Sequence, residues 1–254
     1  MSIEILFGFL IALVVGMTGM GGGPLAVPVL TLALGMDAAQ AVGTSLLFVS
    51  VTKMVATPVY FFRRQVHLKT VLILAAGGLP GVALGTWLLS RMNSKGLQPI
   101  ILTVVGGTIV IMALASLWRL LGRAPLTPER PCKRLLAPLA FPIGLEVGFS
   151  SAGAGALGSL LLMHCTALQM SQIVGTDLLF GLILSASGGG LHLATGSIDA
   201  NVLWKLCAGG VVGAALGAHF GTRIPARSLR AALSSVLVLL GGQLCWKGLQ
   251  VMVR

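Results

Sequence analysis

Lys53 and Asp177 each stand inside an apolar run, residues 38 to 62 and 170 to 194, and neither run holds another Lys, Arg, Asp or Glu. Ionisable side chains in such surroundings are costly and point by default to function. A buried ammonium attracts an anionic solute; a buried acid serves as its counter-ion or carries a coupling proton. Lys53 follows Ser45 by eight residues, which places the two on roughly one helix face. Two other readings stay open: Lys53 snorkelling to a lipid headgroup, or a purely structural pair. Glu146, His164, His192 and His219 rank lower. Glu146 could carry a proton or lie near an interface, and the three histidines lack the clustering a metal site needs. With no nucleophile and base pair in the spans, an enzyme is not expected, and neither is a cofactor.

A second kind of chemistry comes from backbone. Thr18-Gly19-Met20-Gly21-Gly22-Gly23-Pro24 interrupts an apolar run from Ile5 to Leu34. As one helix those roughly 30 residues would measure about 45 Å, against a hydrocarbon core of about 30 Å. Split at the glycines, each arm is half a membrane deep, and irregular backbone at that depth is tolerated only where protein or a water-filled cavity satisfies it. Pro24 suits the first turn of a helix starting there. Its free N–H groups and positive dipole end suit an anion, and Gly21, Gly22 and Gly23 let a ligand come close. Ser150-Ser151-Ala152-Gly153-Ala154-Gly155 offers the same arrangement with two added hydroxyls. Two such ends meeting at mid-membrane would hold a tetrahedral oxyanion. The competing reading is that the glycines only permit close helix crossing. A dinucleotide fingerprint is excluded, since no strand and helix unit flanks the glycines.

The elements that would position these groups follow from composition. A mean hydropathy of +0.99, 56% hydrophobic residues and 9% charged residues indicate an all-α integral membrane protein. Apolar stretches at 38 to 62, 70 to 90, 97 to 121, 170 to 194, 201 to 222 and 228 to 250 are each long enough to span, and broken ones lie at 5 to 34 and 137 to 167. In a soluble chain the net charge of +11 would suggest nucleic acid; here it sits in short loops and reads as positive-inside topology. Met1-Ser2-Ile3-Glu4 lacks a basic n-region, so the first segment is expected to stay. Cys132, Cys165, Cys207 and Cys245 show no paired spacing and read as small buried hydrophobes.

The chain also repeats itself. Gly43-Thr44 recurs 132 residues later as Gly175-Thr176, and the same register matches Phe9 with Phe141, Gly16 with Gly148, Gln40 with Gln172, Gly81 with Gly213 and Arg91 with Arg223. A tandem duplication is the reading, with a first repeat over 1–118, a basic linker over 119–136 and a second repeat over 137–254. The linker lies in the proline-bearing stretch Arg119 to Pro138. Each half holds one broken segment and three spans. If the broken segment is a re-entrant hairpin, three crossings remain and the second copy inserts upside down. Arg63, Arg64, Lys69 and the basic linker then share the inside with Arg223, Arg227 and Arg230. Gly77, Gly81 and Gly85, like Gly209, Gly213, Gly217 and Gly221, form faces for close helix contact. Pro58 and Pro80 are expected to kink their spans.

Gly19-Met20-Gly21-Gly22-Gly23-Pro24, Ala41-Val42-Gly43-Thr44-Ser45-Leu46-Leu47, Thr52-Lys53 and Arg63-Arg64, with Val174-Gly175-Thr176-Asp177-Leu178-Leu179 in the second half, resemble the TauE/SafE sulfite exporter family, also called the toluene sulfonate uptake permease family. The resemblance covers nearly the whole chain. It implies a multi-pass carrier in the plasma (inner) membrane for sulfite, sulfoacetate or other organosulfonates, with the linker cytoplasmic. Carried onto this sequence, the family pattern coincides with this site at the glycine-rich turns, Thr44, Ser45, Lys53, Thr176 and Asp177; the two breaks add Thr18, Ser150 and Ser151, and Asp177 is the candidate coupling residue. Family members often carry an acid after the first Gly-Thr, where this chain has Ser45. The expected partners are a small anionic substrate and membrane lipid, with a homo-oligomer left open and nucleic acid not implied. Secondary transport by alternating access is the leading function; an anion channel, or carriage of another small anion, is the alternative.

Overall fold

The computed structural model describes residues 3–18, 22–92, 97–121, 133–220 and 226–253. Among the described residues the chain is helical without strands: α1 (Ile3–Thr18), α2 (Gly23–Leu32), α3 (Ala38–Phe62), α4 (Leu68–Met92), α5 (Gln98–Leu121), a 3-10 turn (Lys133–Leu135), α6 (Leu136–Ser150), α7 (Gly153–Cys165), α8 (Met170–Ala194), α9 (Ala200–Phe220) and α10 (Ala226–Val253). By length and composition α3, α4, α8 and α9 can each cross a membrane. α3 and α4 continue through Pro58 and Pro80.

The two broken segments become pairs of short helices. α1 and α6 have 16 and 15 residues, about 24 and 22 Å at 1.5 Å per residue, and α2 and α7 have 10 and 13. Local chemistry explains the breaks. Pro24 occupies the first turn of α2, where its missing N–H has no partner to lose. α6 ends because Ser151 turns left-handed, φ 62°, while its N–H still bonds the Val147 carbonyl at 2.9 Å. Ser150 Oγ then accepts from the Ala152 N–H at 3.3 Å, and α7 begins one residue later.

Glycines set how the helices pair. α1 runs alongside α9 in the same direction, with Gly8 against Leu206, Gly16 against Ala214 and Gly213 against Phe9. α6 runs alongside α4 in the same way, with Gly77 against Ala137, Gly81 against Phe141 and Gly85 against Leu145. At each of these positions a β-carbon would collide with backbone, so the glycine faces seat neighbouring helices. Gly221, expected on the same face, lies outside the described residues. α3 packs antiparallel on α8, with Gly43 against Ser197, Gly189 against Leu47 and Gly175 against Gln65. α5 and α10 are likewise antiparallel, with Gly106 against Gly241 and Cys245, and Gly248 against Pro99.

These pairings fix directions. α1 and α9 start together, joined by Glu4 and Lys205 at 3.1 Å, and α3 starts against the segment just before α9. The α1 and α2 pair therefore leaves one end of the bundle and returns to it. α4, α6 and α8 start at the opposite end, and the α6 and α7 pair returns there. The short helices thus enter from opposite ends and stop inside, where Ile11, Val15, Leu25, Ala26, Val147 and Phe149 are buried around them. Helix bounds fall in the 132-residue register too: α3 and α8 begin at 38 and 170, α4 and α9 at 68 and 200.

Candidate functional site

The ends of α2 and α6 meet inside the bundle. Gly23 opens α2 and lies so close to Ser151, which closes α6, that a β-carbon on Gly23 would overlap the Ser151 carbonyl. Close crossing, one of the two readings of these glycines, is therefore part of what Gly23 does. It also sets the Ser151 hydroxyl beside the first turn of α2. Ser151 is 5% exposed, and among the described residues its Oγ has no hydrogen-bond partner. Such a buried donor costs about 1–3 kcal/mol. Gly22, the residue before α2, faces Val15 and Val49 instead. Gly153 begins α7, and the carbonyl of the buried Gly155 lies 2.9 Å from Ser159 Oγ. Thr18 ends α1; its side chain, and Gly21, lie outside the described residues.

Lys53 and Asp177 form a second polar centre. Each is 1% exposed, so Lys53 does not snorkel to the bundle surface. The ammonium feels the charge of Asp177 across the α3 and α8 contact. Asp177 Oδ2 accepts a 2.6 Å bond from Ser159 Oγ, and Gly158 leaves room for the other carboxylate oxygen, which a β-carbon there would displace. Ser159 was not singled out from the sequence, although a signal existed: in the 132-residue register it stands where the first half has Val27. Ser45, on the same α3 helix, bonds its own backbone at Val42 O, 3.0 Å away.

Glu146 sits deep in α6, ten residues past Leu136 and one turn before the break. Ser150 Oγ lies 3.5 Å from its Oε1, and Thr108 of α5 is a neighbour whose hydroxyl donates to the Val105 carbonyl at 2.9 Å. Its side chain is half-buried at this point. His192 is buried with Nε2 3.3 Å from Gly148 O, while His164 and His219 are exposed.

Thr44 and Thr176 lie apart from these centres. Thr44 Oγ1 accepts the Asp199 N–H at 3.1 Å, and Thr176 Oγ1 accepts the His67 N–H at 3.0 Å. Because α3 and α8 are antiparallel, the two threonines stand at opposite ends of the bundle, each tying down the loop beyond the partner helix. Thr44 is nine residues from Lys53, about 13 Å along the axis. A further cation has a role visible only in three dimensions: Lys247 Nζ bonds Thr31 O at 3.1 Å in the last turn of α2, satisfying a terminal carbonyl where the helix dipole favours positive charge.

Comparison with known proteins identifies the family. The model of the family described as sulfite exporter TauE/SafE matches residues 4–244. The chain is 30% identical over 251 residues to the probable membrane transporter protein YjnA of Bacillus subtilis, covering 95% of this chain and 98% of that protein. YunE and YdhB, also probable membrane transporter proteins of Bacillus subtilis, are 24% and 26% identical over 97% and 90% of this chain, and 98% and 94% of their own lengths. The relatives are transporters rather than enzymes, so a small-molecule substrate is implied. Taken with the apolar helices long enough to cross a membrane, these matches make the chain a multi-pass membrane transporter that belongs to the TauE/SafE family.

Proposed function

We propose that the protein is a secondary transporter for a small sulfur-containing anion, sulfite, sulfoacetate or another organosulfonate, bound where α2 meets the turn between α6 and α7. The observation that carries this reading is the buried, unpartnered hydroxyl of Ser151 beside the opening turn of α2. A helix N-terminus supplies N–H donors and positive potential, and a hydroxyl without a protein partner supplies one more donor. Gly22, Gly23, Ser150, Gly153 and Gly155 belong to the two ends that line the site. Lys53 attracts the anion through the interior, with Asp177 as its counter-ion held by Ser159. Thr44 and Thr176 steady the loops at the two ends. The family's description as sulfite exporters supports a sulfur oxyanion over other anions.

In this reading the two halves, 1–118 and 137–254, are inverted repeats in the plasma membrane, and the site opens alternately to either face. The antiparallel packing of α3 on α8 and of α5 on α10 supports inversion. Arg63, Arg64, Lys69 and Arg134 gather at the end where α4 and α6 start, which supports a cytoplasmic linker over 119–136. Export of an anion is favoured by the membrane potential by about 2.3 kcal/mol per charge per 100 mV, and uptake against it needs a coupled ion.

The test is thermal stability of the purified protein with sulfite, sulfoacetate, methanesulfonate, sulfate and chloride. A ligand at a hundred times its Kd adds about 2.7 kcal/mol. A sulfite or sulfonate should raise the melting temperature of the wild type, and Ser151→Ala and Lys53→Ala should lose the shift. Indifference of the wild type to every anion would sink the reading.

A further inference from the structure

We propose that Glu146 is the proton-accepting group of this transporter: binding of an anion at the α6 and α7 turn is accompanied by uptake of one proton on its carboxyl. The inference rests on the anion site proposed above and adds the coupling chemistry.

Hydrogen-bond bookkeeping at Ser150 leads there. Its hydroxyl already accepts the Ala152 N–H, at 3.3 Å, and it has one proton to donate, now directed at Glu146 Oε1 across 3.5 Å. The opening of α7 thus faces an internal carboxyl through one hydroxyl. An incoming oxyanion competes for that hydroxyl proton, and for the positive end of α7. When Ser150 turns to the substrate, Glu146 loses that donor, the Thr108 hydroxyl being directed to Val105 O, and gains a negative neighbour about one helical turn away. Like charges this close in a poorly hydrated interior repel strongly, and a carboxyl relieves the repulsion by taking a proton. Anion and proton then bind as one.

Among the described residues, no neighbouring cation removes the need. α6 packs against α4, α7, α8, α5, α2 and the 3-10 turn. On α4, Lys69 lies at the far start and Arg91 turns outward onto the Trp87 ring, 5.4 Å away. α8 brings Asp177, engaged with Ser159 and the Lys53 charge, and His192, whose Nε2 lies on Gly148 O. α7 has His164 and the Cys165 thiol, both at its end; α2 has no ionisable residue; Lys133 and Arg134, just before α6, are thirteen and twelve residues from Glu146 in sequence. On α5 the single ionisable residue, Arg119, is eleven positions from Thr108.

The experiment uses the full chain in detergent and methanesulfonate as probe, because a sulfonate stays ionised and any proton taken up belongs to the protein. Affinity is measured from pH 5 to 9, with proton uptake recorded in weak buffer. The wild type should take up about one proton per anion and lose about tenfold in affinity for each pH unit above the midpoint, the slope of a single linked proton. Glu146→Gln should bind with little pH dependence and no proton uptake. Glu146→Asp should keep the uptake with a displaced midpoint, and guards against a folding defect in the amide variant. Undiminished proton uptake in Glu146→Gln would overturn the assignment while leaving the anion site standing. Wild-type binding without proton uptake would also overturn it. No methanesulfonate binding by the wild type would remove the coupling proposal for sulfonates, and failure of the whole anion panel would remove the site itself.

Discussion

The α1 and α2 pair and the α6 and α7 pair share a shape and differ in chemistry. Around the first break stand Val14, Gly22, Gly23 and Val27, and beyond it Ser45; at the same register the second half has Glu146, Ala154, Gly155, Ser159 and Asp177. The first pair supplies bare backbone and close approach. The second supplies hydroxyls and carboxyls, and its turn is made by a left-handed serine. The two pairs thus differ in what they bring to their meeting point, one shaping it and the other furnishing its polar groups. The single buried cation, among the described residues, lies on the first half's α3 and the buried acid it feels on the second half's α8.

Breaking that division should cost most where charge crosses between the halves. Lys53→Ala or Asp177→Asn alone strands a buried partner and should destabilise by about 3–5 kcal/mol, read by thermal or denaturant unfolding. A double Lys53→Met, Asp177→Leu variant should recover much of that stability while losing anion binding. Next comes the contact between the halves: Gly23→Ala places a methyl on the Ser151 carbonyl and should cost about 3 kcal/mol. Ser159→Val, which copies the first half's Val27, removes the 2.6 Å bond to Asp177 and should cost about 1–3 kcal/mol. Ser151→Gly relieves a left-handed residue and should stabilise the protein by about 1 kcal/mol while abolishing the anion-dependent shift, so that stability and binding move in opposite directions. Gly107→Ala, where the space is open, should be neutral or raise stability by up to about 1 kcal/mol.

Much of this was legible before the fold was known, for a physical reason in each case. Lys53 and Asp177 show because a charge in a long apolar run has no innocuous place to go. The breaks show because glycine and proline end helices through local geometry. Ser159 and Glu146 were harder to read. A serine in an apolar helix often bonds its own backbone, and Ser159 Oγ lies 2.9 Å from Gly155 O but closer, at 2.6 Å, to the Asp177 carboxylate. Depth, not residue type, decides whether Glu146 meets headgroups or the interior. Thr44 and Thr176 illustrate the converse: alike in sequence, they stand at opposite ends of the bundle because their helices run in opposite directions.

What the sequence determined by itself is what depends on a few neighbouring residues or on summed composition: a helical membrane chain, the positions of its interruptions, the register of its two halves and the buried charges. The tertiary structure decided which glycine face meets which helix, since a small-residue face on α9 would seat any close partner and is given α1 by the directions of all the other helices. It also decided that Gly23 would press against Ser151, that Lys247 would close α2, and that Ser150 would stand between Glu146 and α7. Those contacts join residues more than a hundred positions apart or depend on where a helix stops, and no local preference of the chain encodes either.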